Sequence, residues 1–258
     1  METWFKPDMY GGDSYGWDSE LSSRHIVNLV FRLLKPQSVV DVGCGKGAFL
    51  TECERHGVTD VLGIDGEPVR KVFGPAGSLF RAADLTSPLS IGRTFDLAIC
   101  LEVAEHLPDS DAPTLIDTLV NLAPTVVFSA AHPGQGGQTH VNEQWPTYWH
   151  GMFLERGFVT LDVLRGPLGD HPRVEEFYRT NTFLYSHHQH APEILAEAVS
   201  IGTSDPYIRS FSGSLAVSIE HQTWRTLLAA LWAKVLHRLR RRTRDPRHLP
   251  SGSGHTLP

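Results

Sequence analysis

Two clusters of residues in this chain have the types and spacing that chemistry needs. In "CLEVAEHLP" (100–108), Glu102, Glu105 and His106 follow directly on an apolar run. If a helical turn begins at Glu102, the three stand at i, i+3 and i+4 and share one face. Two carboxylates and an imidazole can hold Mg²⁺, Mn²⁺ or Zn²⁺, accept a proton, or hydrogen-bond loop backbone. The second cluster is "HPGQGGQTHVNEQWPTYW" (132–149). His140, Asn142 and Glu143 offer a base and hydrogen-bonding groups, and Gly134, Gly136 and Gly137 would let the segment close over a substrate. An imidazole titrates near pH 6.5, so His140 suits proton transfer from a hydroxyl and equally suits a fourth ligand place beside Glu102, Glu105 and His106. His132 is a lesser candidate of the same kind.

A third motif can bind but not react. "VVDVGCGKGAFL" places Asp41, Gly43, Cys44, Gly45 and Gly47 between a β-branched run and an amphipathic stretch. Glycines allow a sharp turn and close approach of a ligand to backbone, and the helix start behind them favours polar groups. The spacing Gly43-x-Gly45-x-x-Ala48, with Asp65 downstream, also satisfies the dinucleotide fingerprint. Acids at the ends of successive runs separate the readings: Asp41, then Asp65 in "GIDG" before Gly66, then Asp84 in "RAADL" before Leu85. Asp41 beside the loop would repel a pyrophosphate, which disfavours a nicotinamide cofactor.

These residues need elements to carry them. "SVVDVG", "VLGID", "SLFRAAD", "FDLAICLE" and "TVVFSAA" are short apolar runs that alternate with helical stretches such as "AFLTECERHG" and "APTLIDTLVNLA". That rhythm predicts a parallel sheet covered on both faces, with strand ends along one ligand-binding rim. "SELSSRHIVNLVFRLLKP" precedes it as a helix stopped by Pro36. After the fifth run, the pattern predicts a helix in "WPTYWHGMFLERG", a strand in "FVTLDVLRG", a helix in "RVEEFYRTN" and a strand in "TFLYS". Trp145, Tyr148 and Trp149 recur at helical spacing and are expected to pack on the sheet rather than wall a substrate pocket.

Over residues 20–186 the glycine loop and acid series resemble the class I S-adenosylmethionine-dependent methyltransferases. The resemblance implies a doubly wound, Rossmann-like α/β fold of seven strands in the order 3-2-1-4-5-7-6, the last antiparallel. It assigns Asp41 and the glycines Gly43, Gly45 and Gly47, with Cys44, to the methionine end of the cofactor. Asp65 and Gly66 fall to the ribose, Asp84 and Leu85 to the adenine, and Glu102 to the cofactor floor. "ExxEH" is similar to a motif of ubiquinone-pathway O-methyltransferases and of small-RNA terminal 2′-O-methyltransferases, in which these positions can bind metal. "GGxxHVNEQWPxYW" is similar to bacterial methyltransferases of glycan and secondary metabolism.

Composition bounds the remaining readings. With 258 residues, 41% hydrophobic and 20% charged, the chain suits one large α/β domain with additions. The expected divisions are an irregular arm (1–19), a methyltransferase domain (20–188), an extension (189–222), an amphipathic basic helix (223–243) and a disordered tail (244–258). Three cysteines form no CxxC pair, and "METWFKPDMYGGD" has no apolar core of a secretory signal, so a cytoplasmic protein is expected. Residues 223–258 hold eight Lys and Arg against one Asp, while the whole chain is at −6. An acidic body argues against nucleic acid as a partner. The tail helix, with Trp224, Leu228, Trp232 and Leu239 on one stripe and Arg240–Arg242 beyond, would pack on the domain, join a second copy or lie on a membrane surface.

The function expected from these residues is methylation of a hydroxyl on a small metabolite or glycan. Glu102, His140 and Glu143 would serve catalysis, and Glu102, Glu105, His106 and His140 are the candidate metal ligands. The alternatives are a metal-assisted RNA ribose 2′-O-methyltransferase and a non-catalytic cofactor-binding module.

Overall fold

The apolar runs become strands of one sheet in a computed structural model that describes residues 17–75, 77 and 79–201. The arm before residue 17, the extension beyond residue 201, the basic helix 223–243 and the tail 244–258 lie outside the described residues. The strands are β1 (Ser38–Val42), β2 (Asp60–Asp65), β3 (Leu79–Ala82), β4 (Leu97–Leu101), β5 (Thr125–Ser129), β6 (Phe158–Leu161) and β7 (Phe183–His187). Their order is β3-β2-β1-β4-β5-β7-β6. β1 to β5 pair in parallel, and β7 runs antiparallel between β5 and β6. The expected seven-strand order and its one reversed strand are both present.

Every residue of β4 and β5 is buried, as continuous apolar strands between two helical layers require. The helices are α1 (Trp17–Leu33), α2 (Ala48–Arg55), α3 (Ala112–Leu122), α4 (Pro146–Glu155), α5 (Arg165–Leu168), α6 (Glu176–Asn181) and α7 (Ala191–Ser200). α1 starts before residue 20, so the helix takes in the end of the stretch expected as an irregular arm. α5 and α7 were not expected from pattern. α5 is a single turn that contains Gly166 and Pro167, two residues that oppose helix in isolation. Its Arg165 is fixed by Asp162, with Nε to Oδ1 at 2.9 Å.

The core on one side of the sheet gathers Val40, Cys100, Leu115, Phe128, Trp149, Phe153 and Tyr185. Trp145, Tyr148 and Trp149, at and just before the start of α4, divide. Trp149 is buried against Phe128 with ring centroids 5.4 Å apart, and Tyr148 donates its hydroxyl to Asp109. Trp145, at the helix start, is 59% exposed and stacks on His132. Among the described residues no helix is long and apolar enough to cross a membrane.

Candidate active site

The C-terminal ends of β1, β2, β4 and β5 share one rim, and a cleft of about 480 Å³ opens there. Asp41, Gly43, Cys44, Gly45 and Lys46 form one wall. Gly43 has φ 79°, and a Cβ there would come within 2.4 Å of Val103, the residue after Glu102. The loop therefore needs glycine both for its left-handed turn and for its seating on the end of β4. Gly47 (φ 83°) opens α2, and a Cβ on it would strike Pro75 at 2.4 Å. It shapes the loop without lining the cleft.

Two acids support this wall in different ways. Asp65 accepts the Gly45 N–H at Oδ2 (2.8 Å) and the Gly66 N–H at Oδ1 (2.6 Å), so it stiffens the turn from below. Asp41 is buried and its Oδ2 has no hydrogen-bond partner. Burial, and then the Asp65 charge, push its carboxyl up to about 8. A buried acid of this kind, open to a cleft, calls for a cationic group. Burial also pushes the Cys44 thiol up, so it is a packing residue and not a nucleophile. Asp84 and Leu85 do not line the cleft. Asp84 is exposed and accepts the Thr86 N–H and hydroxyl at Oδ1 (3.0 and 2.7 Å), while Leu85 is buried in the core.

The second wall follows β4. The helical turn expected from Glu102 does not form. Glu102 has φ 55°, a conformation that costs a non-glycine residue about 1–3 kcal/mol, and only Ala104–His106 make a tight 3₁₀ turn. Surrounding bonds hold it there. The Glu102 N–H is donated to the backbone oxygen and the Oγ of Ser129, each at 3.1 Å. Its Oε2 accepts from Gln135 Nε2 (2.9 Å), and Gln135 Oε1 accepts from Asn181 Nδ2 (2.7 Å) at the end of α6. Oε1 of Glu102 is left without a partner.

Glu105, His106 and His140 meet, with one ligand atom of each within 4.8 Å of the others. Glu102 is not part of this group. Glu105 is fully buried, and neither carboxylate oxygen has a hydrogen-bond partner. Burial, and then the neighbouring Glu102 charge, drive its carboxyl well above the usual range. The Glu105 carbonyl accepts the Val141 and Asn142 N–H groups (2.8 and 3.0 Å), which docks the 132–145 loop on this floor. His106 places Nδ1 3.1 Å from Thr139 Oγ1, and His140 places Nδ1 2.9 Å from Glu143 Oε1. The two rings meet edge to face at 4.9 Å. Burial, then His140, lower the His106 imidazole to about 4, so it is neutral at pH 7. Neutral imidazole is the form that binds metal.

A buried carboxyl beside two imidazoles, with Glu102 next to it, is a donor set that fits a divalent cation: the cation would take the place of the proton that otherwise neutralises Glu105. Glu143 reaches this centre only through His140 and does not itself line the cleft. Gln135, Asn181, Ser129 and Thr139 went unrecognised in the sequence. Their partners depend on the path of the loop after β5, and no spacing encodes that path.

A methyltransferase-domain family model matches residues 18–162, more than half of the chain. The chain belongs to this family, and its fold is that of the class I S-adenosylmethionine-dependent methyltransferases. A ubiquinone biosynthesis O-methyltransferase of Methylococcus capsulatus is 31% identical over 143 residues, 47% of this chain and 59% of that relative. The match thus spans less than two thirds of the relative's length. Among solved structures, an O-methyltransferase candidate from Nostoc punctiforme superposes with a TM-score of 0.54 at 14% identity, covering 71% of this chain and 59% of that one. The sugar N-methyltransferase KedS8 of Streptoalloteichus does so at 0.50 and 15%, covering 68% and 89%.

Proposed function

We propose that the protein transfers the sulfonium methyl of S-adenosylmethionine to a hydroxyl of a small metabolite or glycan, with a divalent metal ion beside the acceptor. The observation that carries this reading is Glu105, buried and unpartnered next to His106 and His140 on the rim that also holds the glycine loop. The O-methyltransferase name of the Methylococcus relative supports hydroxyl as the acceptor group.

In this reading Asp41 takes the α-ammonium of the cofactor, and Gly43 and Gly45 let its methionine end lie against backbone. An ion held by Glu105, His106 and His140 would act as a Lewis acid on the acceptor hydroxyl. Glu102, which lies beside Glu105, would accept a hydrogen bond from that hydroxyl and point its oxygen at the methyl carbon. In-line positioning of this kind supplies a large part of the rate in a displacement of this type. His140 offers Nε2 either to the ion or to the departing hydroxyl proton, and chelation tells the two apart.

The test is formation of S-adenosylhomocysteine across pools of hydroxylated acceptors, with Mn²⁺ or with excess chelator, alongside calorimetry of cofactor binding. The expected outcome is turnover that chelator and Glu105→Ala both abolish while cofactor affinity is kept. Full turnover in chelator would remove the metal and leave His140 as the base. Failure to bind S-adenosylmethionine would overturn the whole reading.

A further inference from the structure

Each imidazole in the cleft spends one nitrogen on a partner outside it, and those partners dictate where the ring protons sit. Glu143 is an acceptor only: its Oε1 already receives the Gly136 N–H (3.0 Å) and its Oε2 the Gly134 N–H (2.9 Å). The His140 Nδ1 facing it at 2.9 Å must therefore donate. Thr139 reaches the same end by another route. Its hydroxyl gives its single proton to the Gln138 carbonyl (2.6 Å), so toward His106 Nδ1 at 3.1 Å it can only accept.

We infer that Thr139 and Glu143 are positioning residues that hold His106 and His140 in the Nδ1–H tautomer, leaving both Nε2 lone pairs to the cleft. A free imidazole in water favours the opposite tautomer, so the arrangement is imposed by the loop. The glycines belong to the device. Gly134 (φ 87°) and Gly136 (φ 72°) adopt left-handed backbone that turns their N–H groups onto the Glu143 carboxylate. Gly137 lies against the ring itself, since a Cβ there would come within 2.2 Å of His140 Nε2. The "GQGG" run is thus needed both to fix the carboxylate and to leave Nε2 uncovered. Partners of metal-binding imidazoles act in this way generally, setting tautomer and ring orientation.

The inference rests on the reading of this cleft as a methyltransferase centre, but its test does not need turnover. In the full-length, metal-free protein at pH 8, two-bond ¹H–¹⁵N correlation spectra report which nitrogen of each imidazole carries the proton. Histidine-to-glutamine variants at 106 and 140 assign the signals. Both rings are expected to show protonated Nδ1 and bare Nε2. Glu143→Ala should move His140 to the Nε2–H form and weaken Mn²⁺ binding about 10- to 100-fold. At His106 the Thr139 carbonyl is a second acceptor beside the hydroxyl, so Thr139→Val should raise the Nε2–H fraction of His106 only in part, with Thr139→Ser restoring the Nδ1–H form. Glu143→Gln keeps an acceptor oxygen and should keep the tautomer, which covers the case in which the alanine variant fails to fold. An Nε2–H signal in the wild type, or unchanged tautomers in Glu143→Ala and Thr139→Val, would overturn the inference. Absent methyl transfer with the expected spectra would instead count against the proposed reaction alone.

Discussion

At the scale of single residues, Asp41 makes the sharpest prediction. Its carboxyl is held up to about 8 by burial, with the Asp65 charge behind it, so without a cationic partner it is protonated at neutral pH. Pairing with an ammonium group requires the ionised form. Cofactor affinity should therefore rise with pH, by up to tenfold per unit, and level off above about 8. Calorimetry at pH 7 in two buffers of different ionisation enthalpy should show proton release on binding. Asp41→Asn should abolish both the slope and the proton release; an unchanged slope would assign the cationic contact elsewhere. Asp41, Asp65 and Glu102 were legible because each ends an apolar run, and strand ends in a parallel sheet face the ligand rim. Gln135 and Asn181 were not, since the link between them joins residues 46 apart through a loop and a helix end.

At the scale of elements, the apolar runs predicted their strands, and the sheet order followed from the resemblance rather than from periodicity. The segment after β4 shows where local preference loses. "EVAEH" contains good helix formers, yet the bonds from Ser129 and Gln135 hold Glu102 outside helical geometry. Glu105 and His106 line the cleft from a 3₁₀ turn, not from the α-helical turn that the spacing predicts. The start of α4 shows the opposite case, an aromatic set at helical spacing that the sheet uses unevenly. Trp149→Ala should cost about 3–5 kcal/mol, because it opens a cavity beside Phe128. Trp145→Ala should stay within about 0.5 kcal/mol, since the ring is 59% exposed. Guanidinium denaturation curves of the two variants make the comparison, and equal losses would contradict this division of roles.

At the scale of the molecule, the decisive feature is that β7 enters between two strands that precede it in the chain. Among the described residues β6 has no other neighbour in the sheet, and α6, which leads into β7, brings Asn181 to the clamp on Gln135. A chain ending at Asp162 retains the glycine loop, the Glu102–His106 turn and His140, yet it lacks the strand that ties β6 to β5. It is expected to show no cofactor binding by calorimetry and a loss of cooperative unfolding. A fragment that binds normally would show the inserted strand to be dispensable. The consequence is one of timing during synthesis. The residues proposed to hold the cofactor leave the ribosome early, but the sheet is not complete until the segment through His187 has emerged and inserted between β5 and β6. Until then β5 and β6 each carry an edge that β7 later covers, and an uncovered edge of that kind is open to pairing with other chains.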